Sequence, residues 1–81
     1  MKGKNFSKKE KELFARVGNN IKEIILSKGY MSPYDFWIEH GEDEFSRSNL
    51  NYLLNGRTDP KLSTLMRLSK ILGVEISDFL K

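Results

Sequence analysis

Apolar residues recur at intervals of three and four along most of the chain, a spacing that predicts helices rather than strands. The pattern predicts an all-α fold, a compact bundle of five helices that each turn one apolar stripe toward a shared core. The expected inward positions are Leu13, Phe14, Val17, Ile21, Ile24, Ile25, Phe36, Trp37, His40, Leu50, Leu53, Leu54, Leu62, Leu65, Met66, Ser69, Leu72, Ile76, Phe79 and Leu80.

The first predicted helix has a clear beginning and a clear end. Residues 7–10 (Ser-Lys-Lys-Glu) form a capping box, in which the serine and glutamate side chains satisfy each other's backbone N–H groups. The helix is expected to end near Lys28, because Gly29 favours the left-handed conformation that terminates helices.

The second predicted helix begins at Ser32, has Pro33 in its first turn and ends at Gly41. Asp35 is expected to complete a second capping box, and Met31 is placed to pack against the helix as a hydrophobic staple. The fourth helix should follow residues 59–60 (Asp-Pro) and end at residue 73, and a short fifth helix should cover about residues 76–80.

The segment 45–60 predicts a short third helix with two opposed faces. Ser46 is a favourable N-cap, Phe45 can pack against Leu50, and residues 55–56 (Asn-Gly) supply a left-handed stop. Leucines 50, 53 and 54 fall on one side. The other side carries hydrogen-bonding groups, one cation and one aromatic ring, from Arg47, Ser48, Asn51, Tyr52 and Asn55. A surface of this chemistry suits a polar partner, and DNA is the leading candidate.

The composition favours a small single-domain protein with a polyanionic partner and argues against several other classes of protein. The 81 residues predict one domain, and the net charge of +3, from 14 basic and 11 acidic residues, mildly favours a polyanionic partner. Without cysteine there is no disulfide framework and no thiolate metal site. No apolar run is long enough to span a bilayer, and the basic N-terminus is not a signal peptide, so a cytoplasmic protein is expected.

Two patterns, Ser46-x-x-x-Leu50-x-x-Leu53-x-x-Gly56-x-x-x-Pro60 and Leu72-Gly73-Val74-x-Ile76-x-x-Phe79-Leu80, resemble the Cro/lambda-repressor-like (phage-repressor, Xre-type) helix-turn-helix family. The resemblance covers residues 17–80 and implies that helices 2 and 3 form the helix-turn-helix, with helix 3 in the DNA major groove. It divides the chain into a basic arm with the start of helix one (residues 1–12) and a helix-turn-helix domain (residues 13–81). The implied function is sequence-specific binding of double-stranded DNA as a prokaryotic or phage transcriptional regulator, such as a repressor.

The same resemblance assigns individual contacts. The residues implied to read bases are Arg47, Ser48, Asn49 and Tyr52. The residues implied to bind phosphates, which set register without carrying sequence information, are Ser46, Asn55, Arg57, Thr58 and Lys61. The family also implies a twofold assembly, so we expect a weak homodimer through the last helix (Phe79, Leu80) or a dimer that forms only on DNA.

Several positions depart from the family pattern. An internal arginine–glutamate pair, found in many members, is replaced by Ile25 and Leu54, which we therefore expect to touch in the core. Pro33 stands at or beside the position where family members usually have a glutamine that binds a phosphate. That contact is therefore absent here or is made instead by Ser32 or Tyr34. Trp37 occupies a position inside helix two where family members usually have a small residue, often alanine. The acidic residues 42–44 lengthen the turn before helix three. Their negative charges interact favourably with the positive end of the helix dipole, but they would repel DNA.

The sequence leaves two other classes of function open to comparison with DNA binding. A module of the same fold that binds another protein, through the helix-three face or the acidic turn, is the main alternative. Catalysis has little support, because the chain has one histidine, no cysteine, no glycine-rich phosphate loop and no metal-ligand spacing. We therefore predict neither an enzyme nor a cofactor or metal site.

Overall fold

The computed structural model describes residues 6–41 and 45–81, and all regular structure in these ranges is helical. Four α-helices are present there, in the order α1 (Lys8–Ser27), α2 (Pro33–Phe36), α3 (Arg47–Leu54) and α4 (Leu62–Leu72). A π-helix (Trp37–Gly41) continues α2 directly, and a 3₁₀ turn (Ile76–Phe79) follows α4. The predicted count of five helices is therefore wrong, because the last element is a single 3₁₀ turn. The acidic residues 42–44 and the lysines at 2 and 4 lie outside the described ranges.

The predicted capping box at the start of α1 is confirmed. Ser7 Oγ accepts a hydrogen bond from the Glu10 N–H (3.1 Å), and the Ser7 N–H donates to Glu10 Oε1 (2.7 Å). The helix ends at Lys28, and Gly29 adopts a positive φ of 101°. This left-handed residue turns the chain toward α2.

The start of α2 differs in detail from its prediction. Ser32 Oγ accepts from the Asp35 N–H (3.3 Å) as expected, but the Ser32 hydroxyl donates back to Asp35 Oδ2 (3.2 Å), so the carboxylate meets a side chain rather than the cap backbone. Met31 is 89% exposed, and the predicted staple is wrong. Nothing in the sequence pattern distinguished the π-helix that follows from an ordinary helix.

One buried cluster holds the helices together. Its fully buried side chains include Ile21 and Ile25 from α1, Phe36 from α2, Leu68 from α4 and Phe79 from the 3₁₀ turn. Leu13 is exposed although it was predicted to face inward, because it lies beyond the stripe that α1 turns to the other helices. Ile25 and Leu54 both belong to this cluster, as expected if two apolar residues replace an internal ion pair.

The buried face of α4 was predicted correctly only in part. Leu62 is 67% exposed and Met66 is 48% exposed, whereas Leu68, which was not predicted to face inward, is fully buried. Leu65 and Leu72 are buried as predicted. Apolar residues occur on most sides of this helix, so periodicity alone does not fix its rotation, and the packing partners decide it.

The C-terminal segment is tied back to α1. Asn20 Nδ2 donates to the carbonyl oxygens of Phe79 (3.0 Å) and Lys81 (3.1 Å). Because Phe79 is fully buried in the chain's own core, its side chain is not available for the predicted dimer contact, and that part of the prediction is wrong. Leu80 remains exposed.

Candidate nucleic-acid interface

Local signals determine where α3 begins and ends. Ser46 Oγ accepts from the Asn49 N–H (3.0 Å), so Ser46 is the N-cap, as predicted. Gly56 follows the helix with a φ of 68°, a conformation that favours glycine. Phe45, just before the cap, packs against the core cluster. The helix is consequently fixed at both ends by residues that flank its polar face.

The two faces of α3 are separated as the sequence predicted. Leu50, Leu53 and Leu54 are buried, with exposures of 3%, 3% and 8%. The polar residues on the other side are exposed, and Tyr52 keeps 49% of its surface accessible. The helix is therefore held by its leucines, and its polar side chains are left to contact another molecule.

A groove of about 540 Å³ lies on one side of this polar face. Its walls come from three elements: α1 contributes Lys22, the start of α2 contributes Ser32, Pro33, Tyr34 and Trp37, and α3 contributes Arg47, Ser48, Leu50, Asn51, Leu54 and Asn55. Three of the predicted DNA contacts, Arg47, Ser48 and Asn55, line this first groove.

A second groove, of about 380 Å³, lies on the other side of α3. It is formed by Phe45, Asn49, Tyr52, Thr58, Asp59, Pro60, Lys61, Ser63, Thr64 and Arg67. The predicted base readers are thus divided, with Arg47 and Ser48 beside the first groove and Asn49 and Tyr52 beside the second. The predicted phosphate contacts Ser46 and Arg57 line neither groove, and both are exposed.

Arg47 does not extend freely into solvent. Its guanidinium carbon lies 4.5 Å from the centre of the Tyr34 ring, within the range of a cation–π contact. Tyr34 in turn stacks on Trp37, and Trp37 Nε1 donates to the carbonyl oxygen of Phe45 (2.9 Å). The bulky tryptophan is therefore accommodated at the groove, with its indole N–H satisfied.

Asn55 is already engaged within its own helix. Its Nδ2 atom donates to the backbone oxygen of Asn51 (2.9 Å) and to Asn51 Oδ1 (3.0 Å). Because an amide group has two N–H donors, a phosphate contact would require Asn55 to release one of these bonds.

Sequence reasoning missed several residues of the first groove. Lys22 comes from α1, and the aromatic pair Tyr34 and Trp37 comes from α2, both distant from α3 in the chain. No local pattern marks Lys22, since the groove exists only once the three helices are packed. Asn51 was on the predicted polar face but was not assigned a contact.

The described residues also bear on metal sites and on membrane spans. Within residues 6–41 and 45–81, no group of three or more acidic or histidine side chains is arranged to hold a metal ion. Among the helices described, none has the length and apolarity to cross a bilayer. His40 lies against the rings of Tyr30 and Phe36, each 5.9 Å away between centroids. Burial raises the pKa of the neighbouring Tyr30, with a smaller contribution from the Glu39 charge.

Comparison with known proteins gives one match, over the C-terminal part of the chain. A family model described as helix-turn-helix matches residues 44–79, somewhat under half of the chain. The match includes α3, α4 and the 3₁₀ turn, whereas α1 and α2 lie outside it. Neither the curated proteins nor the solved structures give a match. The matched segment contains the elements that carry the polar face and the second groove, and over these residues the chain is similar to the helix-turn-helix family.

Proposed function

We propose that this protein binds double-stranded DNA sequence-specifically as a prokaryotic or phage transcriptional regulator, with α3 in the major groove. The observation that carries the proposal is the division of α3, in which three leucines are buried and the polar face is exposed. A helix of about 10–12 Å diameter fits the width of the major groove. The similarity of residues 44–79 to the helix-turn-helix family supports the same role.

In this proposal the two grooves flank the helix that reads the bases. Arg47 and Ser48 read bases from one side of α3, and Asn49 and Tyr52 read from the other. A bidentate contact from Arg47 to guanine O6 and N7 provides the main discrimination. Ser46, Asn55, Arg57, Thr58 and Lys61 contact phosphates. Lys22, which shares the first groove with Arg47, adds a cation on that side.

Binding is expected to involve two copies of the chain on two half-sites about one helical turn apart. Leu80, 48% exposed at the end of the chain, is the remaining apolar candidate for a weak contact between copies. Assembly only on DNA is equally consistent with this proposal. The cytoplasm follows as the place of action, because that is where the chromosomal, plasmid or phage DNA of a bacterium resides.

Selection of bound sequences from a random duplex pool, followed by fluorescence anisotropy with the selected duplex, tests the proposal. The selected sequences should share a motif, and the affinity should fall steeply as salt rises, because each phosphate contact releases counterions. A shuffled duplex should bind more weakly and with a similar salt slope. If no duplex binds at low salt, the proposal is wrong, and the same fold serving as a protein-binding module becomes the better explanation.

A further inference from the structure

Three side chains form a continuous stack beside the first turn of α3. The Arg47 guanidinium lies 4.5 Å from the Tyr34 ring centre. The Tyr34 and Trp37 rings lie 6.0 Å apart between centroids, with 25° between their planes. Tyr34 is in α2 and Trp37 begins the π-helix, whereas Arg47 is the first residue of α3. The stack therefore connects the two helices across the turn between them.

The stack is anchored at the end opposite Arg47. Trp37 Nε1 donates to the carbonyl oxygen of Phe45 (2.9 Å), and Phe45 directly precedes the Ser46 cap of α3. The indole is partly buried against the core, so its orientation is fixed relative to the start of α3. Tyr34, which is 45% exposed, lies between this fixed indole and the arginine.

Stacking orients a guanidinium group without using its hydrogen bonds. When an aromatic ring contacts the face of a guanidinium group, all the N–H donors lie in the plane of that group and point outward from its edges. These edge donors are the ones that a bidentate guanine contact requires. An arginine held in this way also loses less side-chain freedom when it binds.

We propose that Tyr34, supported by Trp37, is a positioning residue that orients Arg47 for its contact with a guanine base. The proposal rests on the DNA-binding function proposed above. It assigns Tyr34 a role in specificity that acts through Arg47 and does not require Tyr34 to touch a base. It also explains why a bulky indole occupies this part of the groove.

The test compares Tyr34→Leu with the matched control Tyr34→Phe, which keeps the ring and removes only the hydroxyl. Arg47→Ala first identifies the base pair that Arg47 reads, as the one position of the selected duplex where discrimination is lost. At that base pair, Tyr34→Leu should reduce discrimination about two- to five-fold, the contribution of an exposed cation–π contact. Tyr34→Phe should match the wild type, and discrimination at other base pairs should not change.

A double-mutant cycle separates positioning from general structural support. Adding Tyr34→Leu to Arg47→Ala should cause no further loss, because the residue being positioned is gone. Thermal unfolding followed by circular dichroism checks that each variant folds. A uniform loss on every duplex, unchanged discrimination, or sharper discrimination in Tyr34→Leu would each overturn the positioning role. These outcomes leave the proposed function intact, whereas failure of the wild type to bind any duplex overturns that function.

Discussion

Gly18, in α1, lies directly against the carbonyl oxygen of Leu53 in α3. A Cβ added at Gly18 would also lie 2.6 Å from the carbonyl oxygen of Leu54 and 2.9 Å from its carbonyl carbon. These atoms belong to a helical backbone, so they cannot rotate away as a flexible side chain can. The close approach brings the end of the proposed recognition helix onto α1.

Gly18→Ala should therefore destabilise the protein. Alanine gains about 1 kcal/mol over glycine in helix propensity, but forcing an atom into packed backbone costs about 1–3 kcal/mol or more. The balance of these terms is a fall of up to about 2 kcal/mol in the free energy of unfolding. Urea denaturation measures it, with the exposed neighbour Asn19→Ala as control. A variant Gly18→Ala that is clearly more stable than the wild type would show that α1 and α3 can move apart at little energetic cost.

Ile25 and Leu54 should be coupled if they touch in the core. Leu54→Glu alone places an unpaired charge at a position that is 8% exposed and should cost about 3–5 kcal/mol. Adding Ile25→Arg should recover part of that loss by supplying a partner. Chemical denaturation of both single variants and the double variant gives the coupling energy. Strictly additive losses would mean that the two side chains do not meet.

Ser46 has two proposed roles, capping and phosphate binding, that substitutions can separate. Ser46→Ala should lose about 1 kcal/mol of stability, because the Asn49 N–H loses its acceptor. Ser46→Asp keeps a good cap but adds a negative charge, so stability should hold while DNA affinity drops. Ser46→Asn is the uncharged control. If Ser46→Asp binds duplex as tightly as Ser46→Asn, Ser46 does not approach a phosphate.

Substitutions of Arg47 and Lys61 are expected to affect DNA binding differently, because Arg47 is proposed to read a base and Lys61 to contact a phosphate. Arg47→Ala should cost about 1–3 kcal/mol at one base pair and relax specificity there, whereas Lys61→Ala should weaken all duplexes alike and reduce the salt slope by about 1. Anisotropy titrations at several salt concentrations, on the selected duplex and its single-base variants, measure both effects. Lys70→Ala, an exposed lysine that lines neither groove, is the control. The same loss on every duplex for both variants would reject the assigned roles.

Asp78 should make stability depend on pH. The hydrogen bond from the Lys81 ammonium (3.0 Å) and that from the Glu75 N–H (3.0 Å) lower the pKa of Asp78 below its ordinary 3.8. Because the folded-state pKa is the lower one, the stabilisation is present above the unfolded-state pKa and is lost as pH falls through the folded-state pKa. The wild type should exceed Asp78→Asn in stability near neutral pH, and the difference should shrink as the solution is acidified below the ordinary pKa of 3.8. A difference that is independent of pH would contradict this.

Local rules predicted the parts of the molecule that depend on neighbouring residues. The caps at Ser7 and Ser46, the glycine stop at Gly29 and the burial of Leu50 with Leu53 all follow from short-range chemistry. These features need no knowledge of other helices. The two opposed faces of α3 were accordingly predicted from the sequence, and with them the surface on which the proposed function depends.

Features that depend on packing between helices were missed. The rotation of α4, which buries Leu68 and exposes Met66, is decided by the elements it packs against. The contact between Tyr34 and Arg47 joins two helices, and Lys22 enters the first groove from a third. Periodicity describes one helix at a time, so it does not report which faces of different helices meet.

The separation of the two grooves has a consequence for engineering. Arg47 and Ser48 open to one side of α3 whereas Asn49 and Tyr52 open to the other, and none of the four belongs to the buried cluster. The two pairs nevertheless lie within two turns of one helix, where Ser48 and Asn49 are adjacent and Ser48 and Tyr52 are one turn apart, so substitutions in one pair can couple with those in the other. A library that aims to change the proposed specificity should therefore vary all four positions together, and it can do so without altering the core that holds α3.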